Sequence, residues 1–150
     1  MNIKFLRYVI NLWPPLFFNS IKVTTISKNF QEIDVQLNLR WYNRNNVGTQ
    51  FGGNLFAMTD PWYMLMIMHN LGRDYYVWDK KATIDFISPA RSKVTAKFVL
   101  TENKIAEIKA ATESGEKYLP EFIVDIVDAD QKLVARVHRI VYVKRKNKSI

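Results

Sequence analysis

The residue whose surroundings most strongly suggest chemistry is Asp60. Apolar residues flank it on both sides, at 55–58 and at 62–68. A carboxylate in such a stretch loses hydration, and the loss costs free energy unless another group compensates. Asp60 is therefore a candidate for the acid or base of an active site, for a helix cap, or for the partner of a buried polar group.

Helix capping is the main structural alternative for Asp60. Asp-Pro followed by a helical run is typical of an N-cap with proline at the first helical position, so a helix would then begin at Pro61. If one helix instead begins near Gly53, Pro61 lies inside it, loses the hydrogen bond to the Ala57 carbonyl and should kink the axis. The surrounding residues favour a functional role for Asp60 over capping.

The elements around Asp60 follow from the hydrophobic pattern. Residues 53–71 are apolar on nearly every side, which predicts a helix buried on most faces. Strands are predicted at 21–27, 33–41, 81–86, 94–100, 121–127 and 133–143, and a charged helix at 102–114. Because the later strands are joined by short turns or by this helix, the sheet should be mainly antiparallel. The predicted fold class is α+β, a curved sheet wrapped around one long central helix.

The N-terminal segment, residues 3–13, is predicted to be a helix that the Pro14-Pro15 pair ends. Its apolar residues at helical spacing are Phe5, Val9, Leu12 and Trp13. This stripe is typical of a short helix that lies on the domain, and a membrane-surface anchor is the alternative.

The composition limits the classes of protein. A chain of 150 residues suits one domain, 1–150. The absence of cysteine excludes disulfides, thiolate nucleophiles and Cys-based zinc sites, and it fits a cytoplasmic location. The 22 basic and 14 acidic residues give a net charge of +8, but apart from a basic tail at 144–150 they are scattered, which argues against a nucleic-acid partner. The longest apolar run, 62–68, is far shorter than the roughly 20 residues of a membrane-spanning helix.

One motif connects the glycines with Asp60. Residues 45–53 read NNVGTQFGG, and Asp60 follows at the spacing N-x-x-G-T-x-H-G-G-x-x-x-x-x-x-D, apart from Phe51 at the histidine position. This pattern resembles the acyl-CoA thioesterases of the hotdog superfamily, in the branch related to phenylacetyl-CoA thioesterases. Residues 1–146 more closely resemble an uncharacterised bacterial family of thioesterase-like proteins with the same fold, through the segments LWPP, RWYNRN, GTQFGG and MTDP.

The resemblance implies a hotdog fold and a homodimer whose sheets join edge to edge, with further assembly into tetramers in many relatives. Acyl-CoA would bind at the subunit interface, and no metal or redox cofactor would be needed. The Gly53 amide would be the main donor to the thioester carbonyl. Asp60 would act from the partner subunit as general base on water or as nucleophile, and Asn45 would help to hold water or the carbonyl.

The physical chemistry of these residues agrees with those roles. A helix that begins near Gly53 has free first amides, glycine lets a ligand approach them closely, and the helix dipole favours a developing oxyanion. Burial of Asp60 among aromatic and methionine side chains should raise its pKa, which suits a base working near neutrality.

The remaining candidates concern binding. By resemblance, Thr49, Phe51 and Gly52 would contact the substrate, and Arg91 and Lys93 would lie near the phosphates of CoA, although a solvated turn is the alternative for the two cations. His69 and His138 lack metal-ligand spacing and are interpreted as structural.

Phe51 cannot polarise a thioester or relay a proton. The sequence therefore predicts an acyl-CoA thioesterase, with a non-catalytic acyl-CoA or fatty-acyl binding protein as the alternative.

Overall fold

The structure is a computed structural model, and it describes residues 3–146. Within this range the helices are α1 (Ile3–Asn11), α2 (Pro14–Phe17), α3 (Gly52–Ala57), α4 (Trp62–Leu71) and α5 (Glu102–Ala111). The strands are β1 (Ile21–Ile26), β2 (Glu32–Leu37), β3 (Tyr75–Phe86), β4 (Val94–Val99), β5 (Lys117–Tyr118), β6 (Glu121–Asp128) and β7 (Leu133–Arg145). None of the helices in the described range is both long and apolar enough to cross a lipid bilayer.

The strands form one sheet in the order β1-β2-β4-β6-β7-β3, and the short β5 also pairs with β7. All pairings among the described strands are antiparallel, as the short connections predict. Alternation sets the two faces of β2, because Ile33, Val35 and Leu37 are buried and the residues between them are not. The predicted strands are all present, although β3 begins earlier, at Tyr75, and β5 was not predicted.

The apolar segment at 52–71 packs against this sheet and supplies much of the core. Trp62, Met66 and Ile67 are fully or almost fully buried. Tyr63 stacks on Phe122, with ring centroids 4.1 Å apart. Burial raises the pKa of Tyr63 to about 12, so its hydroxyl stays neutral inside the core at physiological pH.

The segment is helical at both ends and interrupted at 58–61, so the effect of Pro61 is larger than the predicted kink. α3 ends at Ala57 and α4 begins at Trp62, and the Asp60–Pro61 peptide bond between them is cis. The interruption is compensated locally, because the indole Nε1–H of Trp62 donates to the Met58 carbonyl at 2.7 Å. Thr59 also donates its hydroxyl to the Phe56 carbonyl at 2.8 Å.

The two edges of the sheet differ. At the β1 edge, the side-chain amide of Asn11 donates to the Val23 carbonyl at 3.0 Å and accepts the Val23 N–H at 2.7 Å, as a neighbouring strand would. Arg7 adds a hydrogen bond to the Thr24 carbonyl at 2.6 Å. At the other edge, β3 pairs only with β7 among the described residues.

The predicted inward stripe of α1 is wrong. The residues that pack against the core are Ile3, Leu6 and Ile10. The residues of the predicted stripe are exposed: Phe5, Val9, Leu12 and Trp13. The helix carries apolar residues on both sides, and docking through Asn11 on the edge of β1 selects the side that faces inward.

Three further predictions are wrong in detail. β2 ends at Leu37 rather than Trp41, because the buried side chain of Asn43 donates to the carbonyls of Asn19 and Asn38 and turns the chain outward. Pro14-Pro15 ends α1 but also begins α2. In the predicted basic tail, 144–145 belong to β7, Lys146 donates to the Arg73 carbonyl at 2.7 Å, and 147–150 lie outside the described residues.

Candidate active site

Asp60 lies in the interruption between α3 and α4, beside a buried arginine that sequence reasoning missed. Its Oδ2 is 3.8 Å from Nη1 of Arg139, and the same Nη1 is 3.2 Å from Oδ2 of Asp79. The Arg139 side chain is 3% exposed, whereas that of Asp60 is 59% exposed. One buried guanidinium therefore serves two carboxylates, of which one faces solvent.

Arg139 also connects the helical interruption to the sheet. Its Nη2 donates to the Thr59 hydroxyl at 3.1 Å, and its Cζ lies 5.6 Å from the centre of the Phe56 ring. Its Nε and the Oδ1 of Asp79 are buried without a hydrogen-bond partner among the described residues. Because removal of one partner of such an ion pair leaves an uncompensated charge, the contact between Arg139 and Asp79 should be costly to break.

The electrostatics of the cluster act mainly on Asp79. Burial raises the pKa of Asp79, the Arg139 guanidinium opposes that change, and the charge of Asp60 raises the pKa further. The pKa of Asp79 is therefore set by two opposing effects, the loss of hydration on burial and the attraction of Arg139, and Asp60 weakens the second by competing for the same cation.

Two expectations for Asp60 are wrong. The N-cap position of α4 is occupied by Pro61, and no side chain makes a capping hydrogen bond there, so Asp60 does not cap the helix. Nor is Asp60 buried among aromatic and methionine side chains in the single chain, since its side chain is mostly exposed. The contact with Arg139 corresponds to the third alternative, the partner of a buried polar group.

Gly52 and Gly53 begin α3, with Phe51 at the N-cap position. The first two amides of a helix have no intrahelical acceptor, so they are the free backbone donors here. A Cβ added at Gly53 would lie 2.5 Å from Cε1 of Phe51, and one added at Gly52 would lie 3.0 Å from Cζ of Phe86. Two phenyl rings therefore lie against the glycines, and α3, with six residues, contributes a shorter dipole than the predicted long helix.

Asn45 organises the loop before these glycines. Its Oδ1 accepts the N–H groups of Val47 at 3.1 Å and Thr49 at 2.9 Å, and its Nδ2 donates to the Thr49 hydroxyl at 2.7 Å. One Nδ2 hydrogen remains to bind water or a carbonyl. The geometry assigns Asn45 a structural role in the loop and leaves room for a second role.

A groove of about 340 Å³ lies beside the glycines. Its lining includes Asn45, Thr49, Gly52 and Phe86. Arg91 lies behind the loop, where its Nη1 donates to the Val47 carbonyl at 3.2 Å. Lys93 is exposed in the same turn. The structure therefore brings the predicted glycine, asparagine and threonine together, with the two cations nearby.

Asp60 does not line this groove within one chain. Along β3, Asp60 lies near Asp79 and Gly52 lies near Phe86. Gly53 and Asp60 are separated by seven residues of a largely helical segment, which corresponds to roughly 10 Å of axial rise, so the carboxylate and the glycine amides do not meet in the single chain. Asp60 lies beside the middle of the edge strand, and Gly52 lies beside its C-terminal end.

The histidines take structural positions. His69 stacks on Phe30 with ring centroids 4.7 Å apart, and Nε2 of His138 lies 3.9 Å from Oδ2 of Asp85. Within residues 3–146, no group of three or more His, Asp or Glu side chains is placed to hold a metal ion.

A signal for the missed arginine is present in β7. Side chains alternate along a strand, so Arg139 shares a face with Val137 and Val141, which are both fully buried. A cation on a core-facing position of a strand requires a buried partner. Applied to β3, the same rule places Asp79 on the face of Val77.

A family model covers residues 2–143, and its description is "Domain of unknown function (DUF4442)". The chain belongs to this family. A comparison with curated protein sequences finds no match.

Solved structures of other proteins confirm the predicted hotdog fold. The Pseudomonas aeruginosa protein PA5026, whose name includes "Probable Thioesterase", superposes with a TM-score of 0.83 over 97% of both chains at 14% identity. Thioesterase HI1161 from Haemophilus influenzae has a TM-score of 0.70 at 15% identity and covers 97% of this chain and 92% of its own. The Escherichia coli PaaI protein from the phenylacetic acid degradation operon has a TM-score of 0.61 at 14% identity, with 95% and 91% covered. The DUF4442 chain thus shares its fold with proteins named as thioesterases.

Proposed function

We propose that the protein is an acyl-CoA thioesterase whose active sites form between two copies of the chain. The observation that carries the proposal is the arrangement along the open edge strand β3. Asp60 lies near Asp79 in the middle of this strand, and the Gly52 backbone lies against Phe86 at its C-terminal end. The motif that connects the glycines with Asp60 and the names of the structural neighbours support the same activity.

Pairing of two β3 edges would complete the site. Two copies of one strand that pair antiparallel about a two-fold axis near Ala82 bring the Asp79 end of each strand beside the Phe86 end of the other. Asp60 of one chain then approaches the glycine amides of the other chain. β3 suits this pairing because it is 12 residues long and pairs with nothing but β7 in the described part of the chain. Further assembly into a tetramer and a cytoplasmic location stay predictions.

In this arrangement Asp60 acts as general base. It takes a proton from water while the water oxygen attacks the thioester carbonyl carbon, and the carbonyl oxygen becomes an oxyanion that the amides of Gly52 and Gly53 stabilise. When the tetrahedral intermediate collapses, the C–S bond breaks, the free acid leaves, and the CoA sulfur takes the proton from Asp60. Arg139 positions Asp60, since it is itself held by Asp79 and Thr59.

Binding is assigned to the groove beside the glycines. Thr49 and the Phe51 ring would contact the acyl group, and Arg91 and Lys93 would attract the phosphates of CoA from the turn at 91–93. The remaining Nδ2 hydrogen of Asn45 would bind the thioester carbonyl or the attacking water.

The test is a hydrolysis assay of the purified protein on a panel of acyl-CoA esters, with release of free CoA thiol as the readout. Asp60→Asn should lower turnover by about 10²- to 10⁴-fold, because it removes the base. Asp130→Asn, in the exposed turn before β7, is the matched control and should not change turnover. Equal activity of Asp60→Asn and wild type would exclude Asp60 from the mechanism.

A non-catalytic acyl-CoA or fatty-acyl binding protein is the second candidate, and the position of Phe51 favours it. Phe51 stands at the position where the motif has a histidine. Its ring lies against Gly53 and offers no group for proton transfer. Under this alternative, acyl-CoA should raise the melting temperature of the protein without release of CoA, because a ligand bound only by the native state stabilises it.

A further inference from the structure

The surface around α1 and α2 exposes apolar side chains, none of which lines the groove beside the glycines. We define the N-terminal aromatic surface as Tyr8, Leu12, Phe17, Phe18, Trp41 and Tyr42. All six are exposed and line one groove of about 1000 Å³. Trp41 is 81% exposed and Phe18 is 71% exposed, so these rings project into solvent. A contiguous exposed apolar surface of this kind marks an interaction site.

The way α1 docks explains why this surface exists. Arg7 and Asn11 bind the backbone of β1, and the opposite side of the helix is therefore directed to solvent. That side carries apolar residues at successive helical positions, Phe5, Tyr8, Val9 and Leu12. An amphipathic helix on a domain normally presents polar residues outward, and α1 does not.

The charges beside the surface have one sign. Lys22 and Arg40 line the groove, and none of its lining residues is acidic. The first acidic residue of the sequence is Glu32, whereas Lys4, Arg7, Lys22 and Lys28 precede it. An apolar surface bordered by cations is complementary to a ligand that is apolar and carries negative charge at its boundary.

A lipid bilayer that contains anionic phospholipid has this chemistry. Tryptophan and tyrosine are favoured at the membrane–water interface, where an apolar ring and a polar tip are both accommodated. Basic residues near the surface are attracted by anionic headgroups, and exposed apolar side chains of an interfacial helix enter the acyl boundary. The groove between α1 and the 40–42 turn is also large enough to accept part of an acyl chain.

We propose that the N-terminal aromatic surface docks the protein on anionic phospholipid membranes. Trp41 and Phe18 insert into the interface, and Lys22 and Arg40 contact the headgroups. The proposal is independent of thioester hydrolysis, because none of these residues belongs to the candidate active site.

The experiment measures sedimentation of the full-length protein with vesicles of phosphatidylcholine, with and without about 30% phosphatidylglycerol. Wild type should bind the anionic vesicles, with a blue shift of tryptophan emission, and added salt should weaken the binding. Phe18→Ser with Trp41→Ser should lower the affinity at least about tenfold, and Lys22→Gln with Arg40→Gln should lower it by a similar factor through lost attraction.

Two exposed residues of the sheet provide the matched control. Val99→Ser with Ile123→Ser also removes two exposed apolar side chains, but away from this surface, and should leave vesicle binding unchanged. Circular dichroism spectra check that each variant is folded.

Three outcomes would overturn the proposal. They are no sedimentation of wild type with the anionic vesicles, equal binding to vesicles of phosphatidylcholine alone, and unchanged vesicle binding by the Phe18→Ser, Trp41→Ser variant. If wild type does not bind the anionic vesicles and the Phe18→Ser, Trp41→Ser variant has a smaller oligomeric mass than wild type without lipid, the surface is instead an interface with a second copy of the chain.

Discussion

The two edges of the sheet, with the elements beside them, form two flanks that differ in whether the edge strand is covered. At the β1 edge, the chain covers itself, since Asn11 and Arg7 of α1 take up backbone groups of Val23 and Thr24. At the β3 edge, a 12-residue strand pairs on one side only within the described part of the chain. An open edge is a site for strand pairing, whereas a covered one cannot add a strand.

The comparison shows how one sheet can present two different interaction surfaces. The flank covered by α1 presents exposed side chains, mainly aromatic ones. Such side chains suit a partner that does not bind through backbone hydrogen bonds, such as a lipid membrane. The open flank offers backbone groups, which suit another strand, and it carries the Asp60, Asp79 and Arg139 cluster nearby. We expect the first flank to contact lipid and the second to contact another copy of the chain.

The strongest test of the comparison is a proline on the open edge. The N–H of Val141 bonds to the Pro120 carbonyl on the β6 side, so the N–H of Arg139, two residues earlier, points the same way. Ala82 pairs with Arg139, and its own N–H therefore points away from β7 towards the open edge. Ala82→Pro removes a donor that only a second copy would use.

If the proposed dimer forms through β3, Ala82→Pro should dissociate it, as measured by light scattering after gel filtration. The proposed thioester hydrolysis should then fall by at least about 10²-fold, because the two halves of the site are no longer held together. Thr83→Pro is the contrasting variant. Its N–H faces His138 of β7, so this change should unfold the strand rather than dissociate folded chains. A persistent dimer of Ala82→Pro would refute the edge-to-edge arrangement.

The second prediction concerns the buried cation of the open flank. Arg139→Met leaves the partly buried carboxylate of Asp79 without its partner, and we expect the free energy of unfolding to fall by about 3 kcal/mol. Urea denaturation measures the change. Arg136→Met on the same strand is the control, since its ion pair with Asp125 is substantially exposed and should contribute far less. Equal losses in both variants would contradict the special role of Arg139.

The third prediction applies to the covered flank. Asn11→Leu leaves the N–H and carbonyl of Val23 without side-chain partners, and we expect a loss of about 1–3 kcal/mol in the free energy of unfolding, with no change in dimer mass. Asn19→Leu, which loses only an exposed hydrogen bond to the Pro15 carbonyl, should cost less. Dissociation of the dimer by Asn11→Leu would show that the two flanks are not independent.

The smallest expected effect is a pH dependence confined to the open flank. Burial raises the pKa of Asp79 above the ordinary 3.8, so the folded protein holds this proton more tightly than the unfolded chain. The contribution to stability is therefore complete below 3.8 and is lost as pH rises through the raised folded pKa. Asp79→Asn should flatten this fall in stability.

Urea unfolding at several pH values from about 4 to about 7 measures the effect of Asp79. Asp130→Asn, in an exposed turn, is the control and should keep the wild-type slope. A slope in Asp79→Asn as steep as in wild type would assign the pH dependence to other groups. The Asn11 contacts of the β1 flank should not contribute, since a side-chain amide is not an ionisable group.

Much of the fold and part of the site could be predicted from the sequence. Period-two alternation predicted the strands, and an apolar run predicted a helix at 53–71, where the structure has α3 and α4, because both patterns are set by burial of one or all sides of an element. The wrong face of α1 and the wrong end of β2 have a common cause. In each case an asparagine side chain, Asn11 or Asn43, makes backbone hydrogen bonds across the chain that no local pattern reveals.

The sequence by itself determined the types of most elements and their order, since hydrophobic periodicity and turn residues can be read along the chain. Its motif at 45–60 also supplied the resemblance from which residues for thioester chemistry are proposed. Tertiary structure alone decided that Arg139 connects Asp60 with Asp79, that Gly52 lies against Phe86 of β3, and that α1 directs aromatic rings outward. The reason is that these relations join residues distant in sequence, and strand register and helix docking, which bring them together, are properties of the whole packed chain.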